Sequence, residues 1–84
     1  MLKRSLQITH KLEPQPASRF VKAANQFQSR ISLEMDGHRV DGKSMMSVME
    51  LANHQANTLT LLVEGEDEAT AIEVLGSILE KEIT

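Results

Sequence analysis

The sequence predicts an α+β fold in the order βαββαβα, with helices packed on one face of an antiparallel or mixed sheet. Three observations predict it. Short stretches alternate apolar and polar residues, longer ones repeat apolar residues every three or four positions, and Asp36-Gly37 separates two of the strand-like stretches. Strands joined by a two-residue turn run antiparallel, which excludes a purely parallel, doubly wound sheet.

Leu2, Leu6 and Ile8 share one parity with polar residues between them, so a strand with one buried face is predicted over roughly 2 to 9. His10 to Pro16 follows as a loop, because Pro14 and Pro16 cannot continue a central strand and each disfavours helical geometry in the residue before it. From Pro16, Ala17, Phe20, Val21, Ala24 and Phe27 recur at helical spacing, predicting a helix over about 16 to 26. Ile31, Leu33 and Met35 alternate with Ser32 and Glu34, and Asp36-Gly37 turns the chain into a return strand carrying Val40. Ser44 is a good N-cap for Met45, Met46, Val48, Met49 and Leu51, a short helix over about 45 to 52. Asn53 to Asn57 is polar punctuation before a fourth strand, Thr58 to Glu64, with its apolar run Leu61-Leu62-Val63. Gly65 ends that strand. Glu66-Asp67-Glu68 then places negative charge where a helix N-terminus favours it, ahead of Ala69, Ile72, Leu75, Leu79 and Ile83.

Eighty-four residues, 1–84, make one domain with no room for a deep interdomain cleft. No cysteine is present, so disulfides, thiolate metal sites and redox motifs are excluded and apolar packing must supply the stability. A net charge of -3 argues against a sequence-independent grip on nucleic acid, and Phe20 and Phe27, the only aromatics, are spaced for packing. No apolar run is long enough for a membrane span or a signal peptide, and a cytoplasmic protein is expected.

His10, His38 and His54 fall in three different loops or strand ends without ligand spacing, so no metal site is expected. No Ser-His-acid arrangement and no glycine-rich phosphate loop is present, so neither an enzyme nor a cofactor is expected. Two places remain, both at helix N-termini, where unpaired amides and the helix dipole favour an anion. Glu13 precedes the first helix, as a capping or solvated carboxylate or as a fixed anion at that N-terminus. Ser44 opens the second helix between Lys43 and the methionines, with Arg39 in the strand before it. It reads as a plain N-cap or as a site where added phosphate would meet both amides and positive charge. Met45, Met46 and Met49 read as core or as an exposed, adaptable docking patch.

These segments, in this order, resemble the HPr family of the bacterial phosphotransferase system. Leu12-Glu13-Pro14-Gln15-Pro16-Ala17 is similar to the family's active loop Leu-His-x-Arg-Pro-Ala, and Phe20-Val21 follows as in the family. Gly42-Lys43-Ser44-Met45-Met46-Ser47-Val48-Met49 resembles the regulatory segment Lys-Ser-Ile-Met-Gly-Val-Met of Gram-positive members, and Val63 to Ala69 resembles the last strand, turn and helix start. The resemblance implies an open-faced β-sandwich, a four-stranded antiparallel sheet with three helices on one face. It also implies that Ser44 is the serine modified by an ATP-dependent HPr kinase/phosphorylase, and that Met46 and Met49 belong to the surface offered to that kinase and to a catabolite control repressor.

The departures bear on function. Glu13 stands where the family has its phosphate-accepting histidine and Gln15 where it has the arginine that helps to hold the phosphate. A carboxylate would have to form a mixed anhydride in place of a phosphoramidate, with no guanidinium beside it. The chain is most similar to Crh-like members, which lack the histidine, although these usually carry Gln at the lost position and keep the arginine. The resemblance therefore implies a regulatory protein without phosphotransfer, controlled at Ser44, with Glu13, Gln15, Ser44, Met45, Met46 and Met49 toward partners. The alternatives are a mimic of phosphorylated HPr through Glu13 and a residual phosphocarrier. Because Pro14 and Pro16 stiffen the first connection, a homodimer formed by strand exchange is also expected.

Overall fold

The computed structural model describes Met1–Thr84: β1 (Leu2–Gln7), α1 (Pro14–Ala24), β2 (Arg30–Met35), β3 (His38–Asp41), α2 (Met45–Ala52), β4 (Thr58–Glu64) and α3 (Glu68–Ile83). The four strands form one sheet in the order β1-β4-β2-β3, and every neighbouring pair is antiparallel. β4 lies inside the sheet, with Leu61 opposite Arg4 on one side and Leu33 on the other. The β2–β3 hairpin turns at Asp36 and Gly37, whose φ angles of 50° and 83° give the two left-handed residues that match such a turn to strand twist.

Period two fixes which side chains meet the helices. Leu6, Ile31, Leu33, Met35, Leu59, Leu61 and Val63 are buried from the sheet. Against them pack Ala17, Phe20, Val21 and Ala24 of α1, Val48 and Leu51 of α2, and Ala71, Leu75, Leu79 and Ile83 of α3. Each large apolar side chain withdrawn from water is worth about 1.5–3 kcal/mol, and without a disulfide this single core is the principal source of stability. The far face of the sheet is open and mostly polar, but Leu62 in β4 is only 2% exposed there.

Arg4 falls on the helix side of β1, opposite Leu61. Its guanidinium reaches Glu80 on α3 at 2.5 Å, and Gly76 makes room, since a Cβ there would collide with that guanidinium.

The predicted boundaries shift at two places. α1 begins at Pro14 rather than Pro16 and ends at Ala24 rather than at 26, because both prolines fit a first turn that has no use for their missing N–H groups. β1 ends at Gln7, two residues short of the prediction. The next amides are still satisfied, Ile8 N–H by the Asn57 carbonyl (2.9 Å) and both Thr9 and His10 N–H by the Ile83 carbonyl at the end of α3 (2.6 and 2.9 Å). On α3 the buried face runs through Ala71, while Ala69, predicted to face the core, is exposed.

Asp67 differs more from its predicted part as a dipole-favoured acid. It is the N-cap of α3, yet its side chain makes no cap bond and turns to the α1–β2 connection. One carboxylate oxygen accepts from the Ser29 hydroxyl (2.5 Å) and the Ser29 N–H (3.0 Å), the other from the Gln28 N–H (2.9 Å). Ser29 is 1% exposed. Gly65, at φ 153°, lets the chain pass, because a Cβ there would stand 2.6 Å from the Ser29 hydroxyl oxygen. The Ser29 hydroxyl, followed by the Gln28 amide, holds the Asp67 carboxyl below its ordinary value of 3.8.

A folded-state pKa below the unfolded one means that the unfolded chain binds more protons in the window between them. The Asp67 contribution is therefore complete above about pH 4 and is lost as pH falls through the lowered folded value. Denaturant melts of Asp67→Asn against the parent from pH 7 to pH 2 are expected to show a gap that holds down to about pH 4 and narrows below it. A pH-independent gap would contradict the assignment.

Candidate functional site

α1 is preceded by Glu13, in extended geometry (φ -82°, ψ 165°) at the N-cap, with a side chain that makes no capping hydrogen bond. Pro14 and Pro16 occupy the first and third helical positions, so neither presents an N–H. Ala17 N–H is engaged by the Glu13 carbonyl at 3.0 Å. Gln15 alone brings an amide hydrogen to the three leading positions. The expectation that Glu13 gains from several unpaired donors is thus corrected: the prolines leave one where an ordinary helix offers three. Glu13, Pro14 and Gln15 are exposed, while Leu12 and Ala17 on either side are buried and anchor the loop.

The N-terminus of α2 keeps its donors. Ser44 is the N-cap (φ -106°, ψ 114°), and its Oγ accepts from Ser47 N–H at 3.3 Å while its carbonyl accepts from Val48 N–H at 3.0 Å. Met45 and Met46 hold the first two helical positions, where N–H groups have no partner within the helix. An anion on the Ser44 oxygen would meet three amides.

The cations near Ser44 in the sequence have partners within the fold. Lys43 Nζ donates to the Phe27 carbonyl at 2.7 Å, and Arg39 Nε lies 3.7 Å from Glu34 across the hairpin. The segment after α1 holds Lys43: its Nζ reaches the Phe27 carbonyl three residues past Ala24, and the C-cap Asn25 Nδ2 bonds the carbonyls of Val21 (2.8 Å) and Lys43 (3.1 Å). This contact puts Ser44 by the C-terminal end of α1 and Glu13 at the opposite end, about 16 Å away along eleven helical residues at 1.5 Å each.

The methionines divide. Met46 is 82% exposed, whereas Met45 and Met49 are half-buried and pack against the core. The apolar surface of α2 is therefore centred on one side chain rather than three, because Val48 and Leu51 fix the helix with Met46 outward.

The histidines also depart from expectation. The rings of His38 and His54 stack with centroids 4.6 Å apart and an interplanar angle of 30°, because the hairpin brings the first residue of β3 to the turn after α2. His10 stands apart, at the end of α3. No group of three or more His, Asp or Glu is placed to hold a metal ion, and no helix is long and apolar enough to cross a membrane.

A four-stranded antiparallel sheet covered on one side by three helices is the architecture of solved small phosphocarrier proteins. The family model described as the PTS HPr component phosphorylation site matches residues 3–81, and the chain belongs to the HPr family. It is 46% identical over 71 residues to the HPr-like protein Crh of Halalkalibacterium halodurans, covering 84% of each chain. It is 41% identical over 81 residues to the phosphocarrier protein HPr of Buchnera aphidicola, covering 94% of this chain and 95% of the other. Among solved structures it superposes on the HPr of Thermoanaerobacter tengcongensis with a TM-score of 0.85 at 37% identity, over 96% and 93% of the two chains. It superposes on the Crh of Bacillus subtilis, described as a dimer with a swapping domain, with a TM-score of 0.75 at 37% identity, over 100% and 99%. Proteins of this family are carriers of phosphoryl groups or regulators, not catalysts in themselves.

A charge-assisted hydrogen bond contributes roughly 1.5–3 kcal/mol, so one lost donor lowers phosphate retention by about tenfold or more. With labelled phosphoenolpyruvate and the transfer enzymes, Glu13→His alone is expected to accept little label. The triple variant Glu13→His, Pro14→Ala, Gln15→Arg is expected to accept about ten times more. Equal labelling of the two would refute the role given to Pro14 and Gln15.

Proposed function

We propose that this protein is a cytoplasmic regulator that no longer relays phosphate, that it is switched by phosphorylation of Ser44, and that it docks on a catabolite control repressor through α2. The observation that carries the reading is the contrast between two helix starts: at α1 Glu13 makes no capping bond and Pro14 removes a donor that the family's loop does not require to be lost, while Ser44 caps an α2 whose leading amides are intact. Kinship with Crh proteins supports it. Phosphoserine adds about -1.5 to -2 of charge at neutral pH, and at an N-cap that charge is met by amides and by the helix dipole, so the modification stabilises α2. The exposed Met46 then supplies apolar contact beside the new anion, with Met45 and Met49 contributing their accessible edges, and Glu13 and Gln15, exposed at the far end of α1, offer a second polar contact to a partner large enough to span both helix starts.

Incubation with ATP and an HPr kinase/phosphorylase is expected to add one phosphate, placed on Ser44 by mass spectrometry and absent in Ser44→Ala. That variant also loses its cap and should unfold about 1 kcal/mol more easily. Met46→Ala is expected to weaken repressor binding by the phosphorylated protein about tenfold, or 1.4 kcal/mol, while moving stability by less than about 0.5 kcal/mol. Failure of the kinase to modify Ser44, or unchanged repressor binding by Ser44→Ala, would refute the proposal.

We further infer that β1 can be exchanged between two copies. β1 lies at one edge of the sheet and pairs only with β4, and Ile8 to Glu13 link it to a helix whose first turn is stiffened by both prolines. The swapping dimer of Bacillus subtilis Crh supports the reading. Sedimentation after refolding at high concentration is expected to resolve a dimer that separates slowly on dilution. A single monomeric boundary at every concentration would exclude it.

A further inference from the structure

We propose that the Met46 thioether is a site of reversible oxidation by peroxide, and that its conversion to sulfoxide releases the α2 surface from its partner. The second half rests on the docking proposed above; the first stands on the structure alone. Five methionines compete for an oxidant, and their surroundings differ. Met35 is 5% exposed on the core side of β2, Met45 and Met49 are half-buried against the core, and only Met1 (55%) and Met46 (82%) are open to solvent. Oxidation needs the sulfur lone pair to meet the peroxide in line with its O–O bond, an approach packing denies to Met35 and restricts at Met45 and Met49.

The step balances without any group supplied by the protein. The sulfur lone pair attacks one peroxide oxygen, the S–O bond forms as the O–O bond breaks, and the departing hydroxide takes the proton from the transferred oxygen, leaving sulfoxide and water. Sulfur loses two electrons and hydrogen peroxide gains them. A thiol-dependent reductase returns the thioether, which makes the change reversible.

The place of Met46 gives the change a consequence. It is the second residue of α2, next but one to Ser44, and its side chain leaves the helix away from the buried Val48 and Leu51. A sulfoxide there is solvated, so the fold is untouched. In an apolar interface the same S–O dipole is buried without a donor, and contact is lost. Met1 is comparably open but belongs to the β1 end of the sheet, so its oxidation serves as an internal control.

The full chain is treated with hydrogen peroxide, quenched at intervals and mapped by peptide fragmentation. Met46 sulfoxide is expected to form about ten times faster than Met35 sulfoxide and ahead of Met45 and Met49, with no change in melting temperature. The Ser44-phosphorylated protein is expected to lose about tenfold in repressor affinity on oxidation and to regain it with a methionine sulfoxide reductase, while Met46→Leu, still oxidised at Met1, is expected to show the same affinity before and after peroxide treatment, whatever its starting value. Met46 reacting no faster than Met35, Met45 or Met49 overturns the site, and unchanged affinity after oxidation overturns the switch. Absence of repressor binding before any oxidation refutes the docking, and the switch with it, while the rates at the five sulfurs still decide the site.

Discussion

β4 is the strand on which the rest of the molecule leans. It hydrogen-bonds to β1 and β2, sends Leu59, Leu61 and Val63 into the core, and buries Leu62 on the open side as well. Because it has no free edge, the edges fall to β1 and to β3, a strand of four residues whose Arg39 and Asp41 discourage pairing with a foreign strand. The join of β4 to β2 is closed beyond the last backbone pair, Arg30 with Glu64, by the Asp67 carboxylate taking the amides of Gln28 and Ser29. A side chain thus continues the ladder where the backbone has turned away, and Gly65 is the residue that permits the approach.

With the sheet fixed, the ends of α1 and α2 meet in a definite way. Carbonyls at the end of one helix and amides at the start of the next have complementary partial charges, and Asn25 joins the two by donating to the Val21 carbonyl of α1 and to the Lys43 carbonyl just before Ser44, while Lys43 Nζ donates to the Phe27 carbonyl beyond α1. Lys43 Nζ is held at the Phe27 carbonyl and keeps its charge, and an anion at Ser44 would also meet the backbone amides that open α2. At the other end of α1 the same physics gives the opposite outcome, because an amide dipole without its hydrogen receives nothing. Pro14 and Pro16 stabilise the first turn by fixing φ, but the family's own loop carries a proline at the place of Pro16, so it is Pro14 that takes a further donor from this helix start.

Most of the element order was legible because it depends on local chemistry. Asp36-Gly37 gave the hairpin, Ser44 the start of α2, and the branched run Thr58 to Glu64 the central strand. Pro14 reads as loop in the sequence because two prolines in three residues break strands and helix interiors alike, and only position distinguishes a breaker from a first-turn residue. Features set by register or by distant parts of the chain were not legible. His38 and His54 are sixteen positions apart, and nothing local says that a hairpin tip will meet the turn after α2. Asp67 lies in a run of acids that fits a helix dipole, and its true partners, Gln28 and Ser29, are nearly forty residues away. At α2, composition gave three methionines but not their orientation, which is set by Val48 and Leu51 seeking the core.

The two helix starts differ in how far they are tied to the fold, and this explains how one can change while the other is kept. Glu13, Pro14 and Gln15 project from a loop pinned by Leu12 before them and Ala17 after them, and their side chains take no part in the core. Substitutions there alter which anions and donors are presented and leave packing alone. Ser44 is joined to the fold at every side: its hydroxyl caps Ser47, its carbonyl holds the amide of buried Val48, its own amide bonds the Asp41 carbonyl, and the residue before it is fastened to the end of α1. A hydroxyl in that position serves the helix whether or not it carries phosphate. Stability therefore favours keeping Ser44 even without selection on its modification, whereas at position 13 only the chemistry of phosphate transfer would have required a histidine.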